Sequence, residues 1–160
     1  NVPGRTSRNI EPDTVIRLAN DVPNIVAIKE ASGNLDQVSE ICRRAPQGFS
    51  VYSGDDSLTL PMLSLGVKGV VSVASHLIAG QMREMITSFT NGEWQKAKDI
   101  DLKYFPVMKG LFFTTSPAPV KAGLKLMGFP VGGLRLPLLP LTDKEEAYLK
   151  GILEEAGLLQ

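Results

Sequence analysis

Lys29 is the residue whose setting in this sequence most favours covalent chemistry. It follows a short apolar run, Ile-Val-Ala-Ile at residues 25–28, which is typical of a β-strand in a covered parallel sheet. An apolar, low-dielectric setting disfavours the ammonium form of a lysine, and a neutral amine can attack a ketone or an aldehyde to form a Schiff base. The same pattern also fits a strand-end lysine that extends into solvent or pairs with Glu30, so both interpretations stay open at this point.

Four other residues could take part in binding or proton transfer. Arg5 lies in the sequence Val-Pro-Gly-Arg-Thr, which we expect to be a constrained loop, where a guanidinium can bind a carboxylate through two hydrogen bonds. Gly54 follows a second apolar strand and indicates either a close approach of the backbone to a ligand or a simple turn. Asp55 and Asp56 suggest acid–base or metal chemistry, but aspartates at the start of a helix are better explained as helix caps.

Composition narrows the class of protein and of partner. The 160 residues are 43% apolar, 21% charged and 6% aromatic, as in an ordinary globular protein. The chain has 17 basic and 17 acidic residues, so its formal charge balances and we expect no nucleic-acid partner. No apolar run in the sequence is long enough to span a membrane. With Cys42 and His76 the only residues of their types, a His/Cys metal centre is not expected. We predict a cytoplasmic protein that binds a small molecule or a second copy of itself.

The order of elements between residues 11 and 92 is α-β-α-β-α-β-α. Predicted helices begin at Pro12, at Asn34 and at Asp55, and a fourth is centred on Met82. The predicted strands cover residues 25–28, 49–53 and 70–73. Short connections between them require parallel strands, so the fold class is α/β. Because ligands bind at the carboxyl ends of such strands, this is where we expect the site.

The remaining residues, 93–160, have helical patterns only. We predict a long helix around Trp94 that is kinked at Pro106, a short helix at 120–127, an extended segment at 131–141 and a last helix capped by Thr142. The chain is therefore predicted to have two domains, an α/β part at 1–92 and a helical part at 93–160.

Several segments together resemble the dihydrodipicolinate synthase family. They are Asn-Val-Pro-Gly-Arg-Thr at 1–6, Val-Ala-Ile-Lys-Glu-Ala-Ser-Gly at 26–33, Ser-Gly-Asp-Asp at 53–56, Gly-Val-Val-Ser-Val at 69–73, Pro-Ala-Pro-Val-Lys at 117–121 and Leu-Arg-Leu-Pro at 134–137. The resemblance implies a pyruvate-dependent class I aldolase, typically tetrameric, with a (β/α)8 TIM barrel and an added helical C-terminal domain. It covers essentially the whole chain but only the C-terminal part of the family's fold, since three strands cannot form a barrel of about 250 residues.

The resemblance also implies roles for four residues. Lys29 corresponds to the lysine that forms the Schiff base with pyruvate, and Arg5 to the arginine that binds the carboxylate of aspartate semialdehyde. Gly54 and Val71 correspond to positions that line the pyruvate pocket, one through its backbone and the other as an apolar wall. The expected reaction is an aldol condensation to 4-hydroxy-tetrahydrodipicolinate in lysine and diaminopimelate biosynthesis. It needs no metal and no cofactor beyond the covalent imine.

Parts of the family's site fall outside this chain. They include a proton-relaying tyrosine expected immediately before Asn1, a Gly-Thr-Thr segment that grips the pyruvate carboxylate, a tyrosine from across a subunit interface and the region that binds lysine as an inhibitor. We therefore expect the chain to need a missing N-terminal barrel half as its partner and to be inactive alone. The alternatives are N-acetylneuraminate lyase or 2-keto-3-deoxy sugar-acid aldolase, which share the lysine chemistry, or a non-catalytic assembly half. Arg5 favours the synthase.

Overall fold

A computed structural model of the chain describes residues 1–159. It divides into two compact units, one formed by Asn1–Ser72 and the other beginning at Val73. All the predicted site residues lie in the first unit. The predicted domain boundary at residue 92 remains an expectation about the complete fold. None of the described helices is long and apolar enough to cross a membrane.

The first unit alternates helices and strands largely as the sequence predicts. Its elements, in chain order, are α1 (Pro3–Thr6), α2 (Pro12–Asp21), β1 (Ala27–Glu30), α3 (Leu35–Arg44), β2 (Ser50–Ser53), a 3-10 helix (Asp56–Leu58) and α4 (Thr59–Leu63). The expectation that Arg5 lies in a loop is wrong. One helical turn forms instead, because Pro3 suits a first helical position and the Arg5 and Thr6 amides donate to the Val2 carbonyl at 2.8 and 3.1 Å.

The two strands of the first unit are parallel, which confirms the α/β class. Lys29 pairs in register with Tyr52, and Glu30 pairs with Ser53. The prediction of a full third strand at 70–73 is wrong for the described residues. Only Val70 forms a bridge there, and it pairs with Ser53. The Ser53 amide donates to the Gly69 carbonyl at 2.8 Å and the Ser53 carbonyl accepts from the Val71 amide at 2.8 Å. Because β2 ends at Ser53, the residues after Val71 have no β2 residue opposite them with which to pair.

Helices cover one face of this sheet. Val51 on β2 packs in a buried cluster with side chains from α2, α3 and α4 and from the segment after α4, namely Val15, Val38, Ile41, Met62 and Val67. Lys29 is exposed. The expectation that this strand is covered on both faces is therefore wrong for the chain as described. Adjacent strand residues point to opposite faces, so the face that carries Lys29 is open.

The second unit is helical, as predicted. Its helices are α5 (Ser75–Thr90), α6 (Trp94–Gly110), α7 (Ala118–Leu126) and α8 (Asp143–Glu155), with α5 packed on α6 and α7, and α8 packed on the same two helices. Trp94, around which this helix is predicted, is its first residue and is 69% exposed. The predicted capping box at Thr142 is present. Hydrogen bonds from the Thr142 backbone and hydroxyl lower the pKa of Glu145.

We expect Ile41→Ala to lower the free energy of unfolding by about 2–5 kcal/mol, because truncating a fully buried side chain behind the sheet leaves a cavity. Leu35→Ala on the same helix is the matched control. Its side chain is 37% exposed, and we expect a loss below about 1 kcal/mol. Urea unfolding followed by circular dichroism measures both. Equal losses would contradict the packing of α3 described above.

Candidate functional site

The Lys29 side chain lies against the backbone of Gly54. A Cβ atom built on Gly54 would lie 2.7 Å from Lys29 Cε, 3.0 Å from Lys29 Cγ and 2.7 Å from the Ala31 Cβ. Those distances are shorter than real carbon contacts, so only glycine leaves room for the aliphatic part of Lys29. Gly54 therefore lies close to the Lys29 side chain, and its approach to a ligand stays a prediction.

Backbone hydrogen bonds on both sides hold the strand that carries Lys29. On one side, the Asn1 backbone nitrogen donates to the Lys29 carbonyl at 2.7 Å, and the Asn1 carbonyl accepts from the Ala31 amide at 2.8 Å. On the other side, the Gly54 amide donates to the Glu30 carbonyl at 2.8 Å. The backbone of β1 around Lys29 is thus held by two neighbouring segments, so the amine extends from a defined position.

Arg5 and Val71 belong to the segments that flank the two strands. Arg5 lies on α1, which follows directly on the Asn1 segment paired with β1, and its side chain is exposed. Val71 follows the bridge between Val70 and Ser53 at the far edge of β2, and it is 49% exposed. The order across the sheet is the Asn1 segment, β1, β2 and residues 69–71. The topology therefore brings the four predicted site residues to one end of the sheet, with contact observed between Lys29 and Gly54.

A buried polar network lies under this end of the sheet, and the sequence interpretation missed it. Glu30, considered above only as a partner for Lys29, is 1% exposed. Its carboxylate accepts hydrogen bonds from Asn1 Nδ2 at 3.0 and 3.2 Å, from the Ser32 amide at 2.6 Å and from Gln37 Nε2 at 3.1 Å. Asn9 extends the network, since its Nδ2 donates to Gln37 Oε1 at 2.8 Å and its Oδ1 accepts from Asn1 Nδ2 at 2.8 Å.

One signal in the sequence could have found this network. Glu30 directly follows Lys29, so if one side chain reaches the open face of the sheet, the other must point toward the helices. A carboxylate in that position needs hydrogen-bond donors, because burial without them is strongly unfavourable. Gln37, on the helix that follows the strand, is one such donor.

Other candidate residues take structural positions. Asp55 caps the 3-10 helix, accepting from the Ser57 amide at 3.1 Å, which confirms the capping interpretation. Asp56 is the first residue of that helix and is buried, while His76 is exposed in the first turn of α5. Burial raises the pKa of the Cys42 thiol, which lowers its reactivity as a nucleophile. Within residues 1–159, no cluster of three or more potential ligands could hold a metal ion.

The Dihydrodipicolinate synthetase family model matches residues 1–156 of the chain. The chain belongs to this family. The family predicted from the sequence segments is thereby confirmed, together with the α/β class of its fold.

Relatives and solved structures of the synthase family match the chain throughout. The 4-hydroxy-tetrahydrodipicolinate synthase of Desulforamulus reducens is 56% identical over 159 residues, which is 99% of this chain and 54% of that protein. The dihydrodipicolinate synthase structure from Cyanidioschyzon merolae with lysine bound has a TM-score of 0.96 and 48% identity, covering 99% of this chain and 54% of that one. The chloride-inhibited synthase of Acinetobacter baumannii complexed with pyruvate has a TM-score of 0.94 and 35% identity over the same shares. The chain spans about half the length of the curated relatives it matches.

We expect Gly54→Ala to destabilise the protein by about 1–3 kcal/mol, because the new methyl group would overlap the Lys29 side chain and Ala31. Gly69→Ala is the matched control. A Cβ there would meet Tyr52 at an ordinary 3.7 Å, so we expect a change within about 0.5 kcal/mol. Urea unfolding gives both values. If both variants are equally stable, the close approach of Lys29 to Gly54 is contradicted.

Proposed function

We propose that this chain supplies the Schiff-base lysine of a 4-hydroxy-tetrahydrodipicolinate synthase, which condenses pyruvate with aspartate semialdehyde. One observation carries the proposal: the Lys29 amine extends over the open face of the sheet while its aliphatic part packs against Gly54. This occurs in a chain whose curated relatives bear the synthase name. An amine held in this way can meet a ketone directly.

The proposed chemistry starts at Lys29 Nζ. The amine attacks the ketone carbon of pyruvate, and loss of water gives an imine. In its protonated form the imine withdraws electrons, so the methyl group loses a proton and an enamine forms. The enamine carbon attacks the aldehyde of aspartate semialdehyde, forming the new carbon–carbon bond. The substrate amine then displaces Lys29 from the imine, which closes the ring and releases the lysine. Since the imine itself accepts the electron pair, we propose no resident cofactor or metal.

The other predicted residues would orient the two substrates. In this proposal the backbone at Gly54 and the apolar side chain of Val71 line the pyruvate pocket. Arg5, on α1 beyond the paired Asn1 segment, binds the carboxylate of aspartate semialdehyde through charge-assisted hydrogen bonds. Arg5 thereby favours the synthase over N-acetylneuraminate lyase and 2-keto-3-deoxy sugar-acid aldolase, which share the same lysine chemistry.

We further propose that the chain works as part of a complete synthase. The open sheet face and the chain's coverage of 54% of a close relative both support this. The remaining barrel would cover Lys29 and supply the groups that hold the pyruvate carboxylate and relay protons. We propose a cytoplasmic homotetramer, and inactivity of residues 1–160 on their own. In that case the chain alone is a non-catalytic assembly half.

We expect borohydride to trap a pyruvyl adduct on Lys29 when the complete synthase is incubated with pyruvate, because only an imine is reduced to a stable amine in this way. Peptide mass spectrometry locates the adduct. Lys29→Ala should abolish it, whereas Lys103→Ala on α6 should leave it unchanged.

The same assay tests the assignment of Lys29, and a turnover assay tests the need for a partner half. A full-strength adduct on Lys103 or Lys109 would refute the assignment of Lys29. Turnover by residues 1–160 without the rest of the barrel would refute the need for a partner half.

We expect Arg5→Ala to lower kcat/KM for aspartate semialdehyde by about 10- to 100-fold, the usual scale for a lost charge-assisted hydrogen bond that leaves its partner unpaired. Imine formation with pyruvate should remain within about twofold, because pyruvate would bind deeper in the site. Arg8→Ala removes an exposed arginine from the same segment and is the matched control. Steady-state kinetics and borohydride trapping measure the two effects, and equal losses in both would indicate a structural role for Arg5.

A further inference from the structure

We propose that Glu30 is a positioning residue for Lys29, acting from the opposite face of β1. This inference rests on the proposed function, because it assigns to the buried carboxylate the task of holding the strand that presents the Schiff-base amine. Glu30 does not share a face with Lys29, so its effect passes through the backbone. The two residues are consecutive, and any displacement of Glu30 moves the Lys29 peptide with it.

Three segments of the chain converge on the Glu30 carboxylate. Asn1 belongs to the segment that pairs with β1, Ser32 follows the strand, and Gln37 belongs to α3. Each provides an N–H donor, and the distances range from 2.6 to 3.2 Å. The carboxylate therefore links three segments next to Lys29: the Asn1 segment that pairs with β1, the residues that follow β1, and the helix α3 that covers it.

The same segments bond to the backbone on either side of the lysine. Asn1, held through its side chain by Glu30, donates from its backbone nitrogen to the Lys29 carbonyl at 2.7 Å. Gly54, which donates to the Glu30 carbonyl, is also the residue against which the Lys29 side chain packs. Loss of the carboxylate would loosen both contacts together. A misplacement of about 1 Å in a reacting group can cost two orders of magnitude in rate.

A charged acceptor is needed because every group that faces Glu30 in this network is a donor. A glutamine in its place would have the same shape but would turn one NH2 group toward Asn1, Ser32 or Gln37, setting donor against donor. None of the ion pairs among the described residues involves Glu30. The buried charge is thus balanced by neutral N–H groups, an arrangement that depends on each donor keeping its place.

The test compares Glu30→Gln with Glu11→Gln in the complete synthase. Glu11 accepts from Asn9 at the exposed rim of the same network, so it provides the same substitution without the buried donors. The measured quantity is the rate at which the borohydride-trapped pyruvyl adduct forms, per folded molecule. It is measured at a temperature where each variant is fully folded. We expect the maximal trapping rate to fall 10- to 100-fold in Glu30→Gln. The pyruvate concentration that gives half of the maximal rate should change less. Glu11→Gln should remain within twofold.

Hydrogen exchange at the Ala31 and Gly54 amides provides a readout that needs no pyruvate. We expect at least a tenfold faster exchange in Glu30→Gln and no change in Glu11→Gln. If the wild type forms no adduct, the proposed function fails, while the exchange rates still test Glu30. If the adduct forms and Glu30→Gln matches the wild type within twofold, this inference alone is overturned.

A second variant covers the case in which Glu30→Gln does not fold. Gln37→Met keeps the carboxylate and removes one of its donors while preserving side-chain length. We expect a three- to tenfold fall in the trapping rate and faster exchange at Ala31. An unchanged rate in a folded Gln37→Met protein would overturn the proposal.

Discussion

The alternation of side chains along β1 is the constraint on which the rest of the site depends. Lys29 and Glu30 are neighbours in sequence, but the pleat of the strand sends one to the open face and the other under the sheet. A shift of one residue in the pairing of β1 with β2 would exchange them, burying the amine and exposing the carboxylate. The register is therefore as important to the proposed chemistry as the identity of the lysine.

Two different kinds of contact maintain that register. Behind the sheet, Val51 packs with Ile41 and Val38. Because hydrophobic burial is not directional, this packing favours turning one face of the strand toward the helices but does not fix the strand's position along its own axis. At the end of the strand, the hydrogen bonds of Glu30 and the close approach of Lys29 to Gly54 are directional and depend on distance. The apolar core selects the face, and the polar contacts at the strand end define the position within it.

The open face of the sheet explains how a chain that covers half of its relatives' length relates to their fold. The helices bury the far side of β1 and β2, so the first unit has a core of its own. The side that carries Lys29 has no such cover among the described residues. In a barrel the corresponding surface faces the interior, where the other strands enclose it. An enclosed site also keeps water away from reactive intermediates, which supports assigning the proposed activity to a complete synthase.

Local sequence patterns determined most of the elements and the residues that carry the proposed chemistry. Pro12, the cap at Asn34 and the box at Thr142 begin helices where their local chemistry predicts them, because caps act within a single turn. Lys29, Arg5, Gly54 and Val71 were found through motifs that are contiguous in the chain. Tertiary structure alone decided the burial of Glu30, the contact of Gly54 with Lys29 and the reduction of the third strand to one bridge at Val70. These depend on segments far apart in the sequence, such as Asn1 and Gln37 meeting at one carboxylate, and no local pattern encodes which distant donors will converge on a buried group.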